Sequence, residues 1–427
     1  MESLIVQGKC IQGGKVSVSG NKNAVLPMIA ATLLTGETVT LRNVPDILDV
    51  RTMLDIARSL GAEYTFADHV LTIRTATVRT STVGRAECAK NRTSILFASA
   101  LVARTGEAIL YPPGGDVIGR RRLDGHFYGL TKLGAEMIED PDVYHFKVKQ
   151  SLRGRELFLD ECSVTATEQI LIAASAAEGT TTLYNAAGEP HVCDLANMLN
   201  QMGADISGIG SNTLVIHGKS SFHGVDYTVV SDHIEAGSFL ALGAAAGVGV
   251  TVTGTTPRHY WMLRRVFERM GIEVILKSNE IVLPGGQTPE IVCDYGGHIP
   301  QISDGPWPQF PSDMMSCTIV AATQCRGTMM FFEKMFESRI YFADRLISMG
   351  ANAIVCDPQR VVVRGPVALH GIEMTSPDIR AGMAMVIAAI CARGESKINH
   401  AEIIYRGYEN LVEKLTGLGV DIRSCRD

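Results

Sequence analysis

Apolar and polar positions along the chain follow one pattern six times over. A nearly unbroken apolar run, long enough for a buried helix, stops at a glycine. A short strand pattern follows, then an amphipathic run that ends in Leu-Gly-Ala or a close relative. These endings are Leu60-Gly61-Ala62, Leu133-Gly134-Ala135, Met202-Gly203-Ala204, Met270-Gly271-Ile272, Met349-Gly350-Ala351 and Leu418-Gly419-Val420. They recur about 70 residues apart, too far for a solenoid repeat and the size of a small βαβαββ module.

The pattern predicts the elements of each module. The apolar runs Ala24–Thr35 and Thr93–Thr105 end at Gly36 and Gly106, and the later ones at Gly179, Gly249, Gly327 and Gly394. Glycine supplies a left-handed cap at little steric cost, so each is read as a helix stop. The runs consist almost wholly of Ala, Leu, Ile, Val and Met, which predicts helices buried on most sides. Strands are expected at Val39–Leu41, Ile109–Tyr111, Thr182–Tyr184 and Val250–Val252, and half-exposed hairpin strands at 70–73, 214–216 and 360–364.

The chain opens with what reads as a lone hairpin, Leu4 to Gly20, whose natural place is to complete the sixth module. The expectation is therefore an α/β protein of two lobes with three modules each. One lobe spans residues 22–230 and includes the glycine-rich loop; the other joins residues 1–21 to 231–427. The longest irregular segment, Tyr295 to Pro311, interrupts the fifth module and carries Trp307.

Composition narrows the function. A net charge of -6 over 427 residues argues against a general nucleic-acid or membrane-surface binder. No stretch is long and apolar enough to span a bilayer, and the first residues carry no basic segment followed by an apolar run. Ten cysteines without CxxC spacing read as reduced thiols of a cytoplasmic protein, with no structural metal expected.

Candidate chemistry appears where the modules differ. Polar residues mark the starts of the apolar runs: Asn21-Lys22-Asn23, Asn91-Arg92, Ser163-Val164-Thr165, Asp232-His233-Ile234-Glu235, Ser312-Asp313 and Asp378-Ile379-Arg380. Helix capping explains the Asn, Ser and Asp residues. It leaves Lys22, Arg92 and Arg380 unexplained, because a cation at a helix N-terminus opposes the dipole unless an anion is bound there. The second helices repeat the anomaly at Arg120-Arg121-Arg122, Arg339 and Arg406, where an exposed basic end is the simpler reading for one of the first three. If the modules pack pseudo-symmetrically, these cations face a common cleft and suit an anion carrying both carboxylate and phosphate. Carboxylates accompany them: Asp116, Asp313, Asp378, and as further candidates Glu189 and Glu235. Asp116 stands in the glycine-rich loop Pro112-Pro113-Gly114-Gly115-Asp116-Val117-Ile118-Gly119, which matches neither the P-loop nor the dinucleotide pattern.

Six such modules, with Ser19-Gly20-Asn21-Lys22-Asn23-Ala24, the Pro-Gly-Gly-x-x-Ile-Gly loop, Phe336-Glu337-Ser338-Arg339, Asp378-Ile379-Arg380 and Arg406-Gly407-Tyr408-Glu409, resemble the enolpyruvyl transferases over essentially the whole chain. Asn23 separates this chain from the members acting on shikimate 3-phosphate, which carry Ser there. The resemblance implies a two-lobed inside-out α/β barrel of six βαβαββ repeats and a reaction needing no metal or cofactor. An acceptor hydroxyl would add to C2 of phosphoenolpyruvate while C3 is protonated, and phosphate would then leave.

On this resemblance, Lys22, Arg121 and Arg406 hold the phosphate, Arg339 and Arg380 the carboxylate, and Arg92 lies near the same anion. Asp313 would be the base, Lys22 and Asp378 further catalytic residues, and Asn23, Asp124, Ser163 and Val164 would frame a uridine nucleotide sugar together with Arg92 and Asp313. Asp116 stands where most members carry the cysteine that protonates substrate and is alkylated by fosfomycin, which implies resistance. Glu161, Gly188 and His233 replace residues that are often basic in the family, which keeps open an acceptor with fewer phosphates, such as UMP. Two lobes that bring like charges to a cleft are expected to stand open when empty.

Overall fold

The computed structural model describes residues 2–116, 118–138 and 140–426. Among them lie six four-stranded sheets of one design, each a parallel pair extended by an antiparallel pair, which is a hairpin in five of them and joins the two chain ends in the sixth. Contacts divide the chain into two compact units. A terminal unit comprises residues 1–19, 116–121 and 231–427, and a middle unit comprises 20–115 and 122–230. This differs from the expected division at one informative place. The segment Asp116–Arg121 groups with the terminal unit rather than with the modules around it, because its contacts are made there: Arg406 Nη1 donates to Asp116 Oδ1 at 2.6 Å, and Ser338 N to Ile118 O at 3.3 Å.

Each unit is built inside out, with helices central and sheets peripheral. The central helices of the middle unit are Lys22–Ala31, Phe97–Thr105 and Val164–Ser175; those of the terminal unit are His233–Ala246, Ser312–Ala322 and Ile379–Cys391. Within each unit the three pack on one another, and nearly all their residues are buried. This explains their composition: a helix surrounded by protein has no face to give to polar residues. Each unit has its own continuous apolar core.

The six Leu-Gly-Ala endings are helix stops of one kind. Gly61, Gly134, Gly203, Gly271, Gly350 and Gly419 all have φ between 73° and 113°, the left-handed region open to glycine. In five of them the next residue closes a 6→1 bond of Schellman type: Ala62 N to Ala57 O, Ala204 N to Leu199 O, Ile272 N to Phe267 O, Ala351 N to Leu346 O and Val420 N to Leu415 O, each at 2.9–3.1 Å. The glycines after the central helices behave less uniformly. Gly106 caps its helix, but the fourth central helix stops at Gly247 rather than Gly249. The first continues as a 3₁₀ turn to Leu34, and Gly36 lacks a positive φ. Gly179, Gly327 and Gly394 are left-handed but lie beyond the helix ends, in the turn to the strand.

The opening segment is not a hairpin. Strand Glu2–Gln7 runs between Glu395–Asn399 and Asp421–Arg426 and completes the sixth sheet as expected. Strand Gly14–Ser17 instead pairs in parallel with Val250–Thr253 of the fourth sheet. Strand Asp226–Thr228, which precedes the fourth central helix, pairs in parallel with Thr38–Arg42 of the first sheet. The first and fourth modules thus exchange their leading strands, so the chain is held in a strand ladder just before it crosses at 19–20 and again at 230–231. Part of the expected irregular segment is likewise a leading strand, Gln301–Ser303, parallel to Gly327–Phe332.

Candidate functional site

In the terminal unit the charged residues singled out from sequence converge on Asp313, the second residue of its helix. Arg339 Nη1 donates to Asp313 Oδ1 at 2.7 Å and Arg380 Nε donates to Oδ2 at 3.0 Å, so one carboxylate is held between two buried guanidiniums. Arg339 begins a 3₁₀ turn and lies over the Phe336 ring; Arg380 is in the first turn of its helix and lies over the Tyr408 ring. Burial works against both cations. The carboxylates of Asp313 and Asp378 around Arg339, and of Asp313 and Asp232 near Arg380, outweigh it and raise both above the ordinary guanidinium value. The pair is therefore permanently charged and fixed, as recognition of a carboxylate requires.

Asp378 sits behind them. Its Oδ1 accepts from Arg380 N at 2.8 Å and Ala381 N at 3.0 Å, so it is the N-cap of its helix. Burial raises its pKa, with Arg339 and the two cap bonds opposing. Arg121 is half-buried, and its pKa is lowered, mainly by burial and then by Arg339 and Arg406 against the pull of Asp116 and Asp313. That ties Arg121 to the Asp313 cluster electrostatically, whereas Arg120 and Arg122 are exposed. Arg406 ends its 3₁₀ helix instead of starting one, so the dipole argument does not apply to it; it is held by Asp116 at 2.6 Å. Glu235 leaves the set of candidates, because Lys414 Nζ takes its Oε1 at 2.6 Å and Ser19 N its Oε2 at 2.8 Å.

His233 follows the cap Asp232 and is buried against His259 and Trp307, with ring centroids 6.0 and 5.8 Å away. Burial, with His259 and Arg380, drives its pKa down to about 3, so it is neutral where an arginine would bring charge. The sequence pattern does not reveal His259 as its neighbour.

The middle unit holds the other candidates. Lys22, first residue of its helix, is buried and paired with Asp49 at 2.6 Å. Asn21 caps that helix through Asn23 N and Ala24 N at 2.8 and 3.2 Å, and Asn23 itself is half-buried. Asn91 caps the turn that begins at Arg92, whose Nη2 donates to Arg122 O at 3.0 Å. Asp124 is exposed and paired with Arg122 at 2.5 Å; Ser163 caps the third central helix through Ala166 N, and Val164 begins it. Glu161 O accepts from Ser163 N at 2.8 Å, and Gly188 is buried. Glu189 is the residue preceding helix Pro190–Gln201 and lies beside the fully buried Glu168.

Two findings depart from the sequence reading. Ser312 is not a cap, since Pro311 precedes the helix and the Ser312 hydroxyl donates to Glu333 Oε1 at 2.6 Å. Asp49, the partner of Lys22, is also missing from it, although an acid four residues before Met53 on the apolar face of helix Leu48–Ser59 is a signal that could have found it.

A family model described as EPSP synthase (3-phosphoshikimate 1-carboxyvinyltransferase) matches residues 6–415. The chain is 49% identical over 423 residues to the UDP-N-acetylglucosamine 1-carboxyvinyltransferase of Treponema denticola, covering 99% of each chain. It is 49% identical to the protein of that name from Bradyrhizobium diazoefficiens, covering 98% of this chain and 97% of the relative. Among solved structures, the enolpyruvyl transferase NikO from Streptomyces tendae superposes with a TM-score of 0.88 at 24% identity, covering 99% of this chain and 98% of the other. An EPSP synthase from Acinetobacter baumannii superposes with a TM-score of 0.76 at 19% identity over 100% of both chains. These two likenesses bear on the fold.

Proposed function

Because the chain belongs to the EPSP synthase family of carboxyvinyltransferases, we propose that it transfers the enolpyruvyl group of phosphoenolpyruvate to the 3′-hydroxyl of UDP-N-acetylglucosamine, releasing phosphate. This is the reaction that commits the sugar nucleotide to peptidoglycan synthesis. The observation that carries the reading is the Arg339–Asp313–Arg380 bridge. It sets a carboxylate able to take a proton beside two fixed guanidiniums able to hold a substrate carboxylate.

In the proposed reaction Asp313 removes the proton from the sugar hydroxyl as its oxygen adds to C2, and Asp116 delivers a proton to C3. The tetrahedral ketal then gives a proton from its C3 methyl group back to the Asp116 carboxylate as the C2–O bond to phosphate breaks, which restores the C2=C3 double bond. Lys22, Arg121 and Arg406 stabilise the charge of the leaving phosphate. Arg339 and Arg380 hold the carboxylate, Arg92 lies near the anion, and Asp378 fixes the backbone that carries Arg380. Asn23, Asp124, Ser163 and Val164 contact the nucleotide sugar. Every step is proton transfer or electrostatic stabilisation by this chain's own side chains. No helix is long and apolar enough to cross a membrane among the described residues, and ten free cysteines fit the cytoplasmic location that we assign.

Neutral His233 and buried Gly188 favour a second reading, transfer to a smaller nucleotide such as UMP. Phosphate release from phosphoenolpyruvate decides: release with UDP-N-acetylglucosamine and not UMP is expected, and release with UMP alone would overturn the assignment. Asp116 also has a consequence for inhibition. A carboxylate cannot form the thioether that fosfomycin makes with a cysteine, so the protein is expected to keep its activity and its intact mass in the drug. D116C is expected to gain the adduct, and an adduct on the natural chain would contradict the assignment of Asp116 to that position.

A further inference from the structure

Two acids outside the proposed machinery meet at the end of the fifth sheet. Parallel strands Gln301–Ser303 and Gly327–Phe332 place Ile302 opposite Phe331 and Ser303 opposite Phe332, so the next step in register sets Asp304 beside Glu333. Both continue the inward-facing alternation, after Ile302 on one strand and after Met329 and Phe331 on the other, and both are fully buried. Like charges directly opposite in a buried sheet are unfavourable, so the pair needs a proton between its carboxyls.

The surrounding donors decide where that proton sits. Asp304 Oδ1 accepts from Lys334 N at 2.5 Å and Oδ2 from Met335 N at 3.3 Å, which engages both oxygens with backbone N–H groups. Glu333 Oε1 accepts from Ser312 Oγ at 2.6 Å and Phe336 N at 3.2 Å. Glu333 Oε2 is buried with no N–H or O–H donor among the described residues, while the side chain lies against Asp304. Burial first, then Asp304, push Glu333 above the usual carboxylate range against the pull of Arg339. The proton therefore sits on Glu333, which donates to Asp304.

We propose that Glu333, braced by Asp304, is a positioning residue for Arg339 and hence for phosphoenolpyruvate; this rests on the function proposed above. Ser312 has a single hydroxyl proton. The hydroxyl donates it in the hydrogen bond to Glu333 Oε1, which turns a lone pair of Ser312 toward Arg339 Nη1 at 2.9 Å, and the same nitrogen reaches Asp313 at 2.7 Å. A neutral Glu333 orients the guanidinium without cancelling its charge, so the cation remains available to Asp313 and to a substrate carboxylate. An ionised Glu333 would compete for that charge.

The test is steady-state kinetics of E333Q, E333A and S312A with both substrates varied, together with infrared spectra. Glutamine copies the neutral acid, accepting from Ser312 and donating to Asp304. E333Q is therefore expected to keep kcat and the KM for phosphoenolpyruvate within about threefold. E333A and S312A are expected to raise that KM at least about tenfold and leave the KM for the nucleotide sugar within about threefold. S312A, the smallest change, carries the test if E333A fails to fold. The idea is overturned if E333Q is as impaired as E333A, or if the KM values of both substrates move together. At neutral pH, the infrared band of a protonated carboxyl must be present in the natural protein and weaker in E333Q. A missing difference overturns the neutral Glu333 even if no acceptor is ever turned over, which separates this failure from failure of the proposed reaction.

Discussion

Single residues carry charge in this protein where their surroundings make it costly to do so. Lys22 and Asp49 are 10% and 4% exposed in their side chains, and their 2.6 Å ion pair sets one buried charge against the other inside the middle unit. Glu168 has no such partner among the described residues. Burial and then the nearby Glu189 raise its pKa well above the usual carboxyl value, and it stays protonated in the folded chain. Its contribution to stability is fully present below the unfolded-state pKa, falls as pH rises between the two values, and is gone once pH passes the folded value. The loss across that window is about 1.4 kcal/mol per pH unit. Glutamine cannot ionise, so the stability of E168Q relative to the natural protein, read from denaturant midpoints, is expected to rise as pH increases above about 5. Parallel pH dependences would contradict a protonated Glu168.

His233 and His259 act with the opposite sign. Burial lowers them to about 3 and about 4, so they favour the folded state above the unfolded histidine value, and this is lost as pH falls toward the folded values. What the sequence discloses at this scale is uneven. Lys22, Arg92 and Arg380 stand out because they oppose a helix dipole. Glu333, Asp304 and Asp49 pass unnoticed because acids are ordinary in any sequence, and only the register of neighbouring strands, or a helix's buried face, shows that they are inside.

At the scale of elements, the most legible signal is the glycine that ends each amphipathic helix, because a left-handed residue is a local demand that distant packing cannot remove. The glycines after the central helices are harder to interpret, since a buried helix can end on a 3₁₀ turn or run into a strand turn several residues later. Position decides what a side chain would cost. At Gly394, with φ 84°, an added Cβ meets nothing within 4 Å, so only backbone strain opposes it. At Gly271, with φ 73°, the Cβ would stand 2.3 Å from Glu290 O. G394A is therefore expected to lose about 1 kcal/mol and G394N less, since Asn tolerates this conformation. G271A is expected to lose at least about twice the cost of G394A, since backbone must move as well. Thermal midpoints check this, and equal losses for the two alanine variants would contradict the packing described.

For the whole molecule, six repeats foretell six sheets, but not which strand enters which sheet. The alternation of Gly14–Ser17 reads the same whether it pairs with its sequence neighbour or with Val250–Thr253. Only the closure of three repeats into one core makes the exchange necessary. Strand Glu2–Gln7 lies between Glu395–Asn399 and Asp421–Arg426, so without it the last strand has no ladder. Removing residues 2–7 is expected to expose the C-terminal strand to limited proteolysis while the middle unit stays resistant. Uniform resistance would contradict the topology.

The central claim is the transfer itself. Incubating the protein with UDP-N-acetylglucosamine and phosphoenolpyruvate labelled with ¹³C at C2, and following the product by NMR, tests it most directly. The labelled carbon is expected to become an enol ether on the 3′-oxygen of the sugar, with phosphate released in equal amount. Labelled phosphoenolpyruvate that stays unchanged with the sugar nucleotide, yet is consumed when UMP replaces it, would contradict the account.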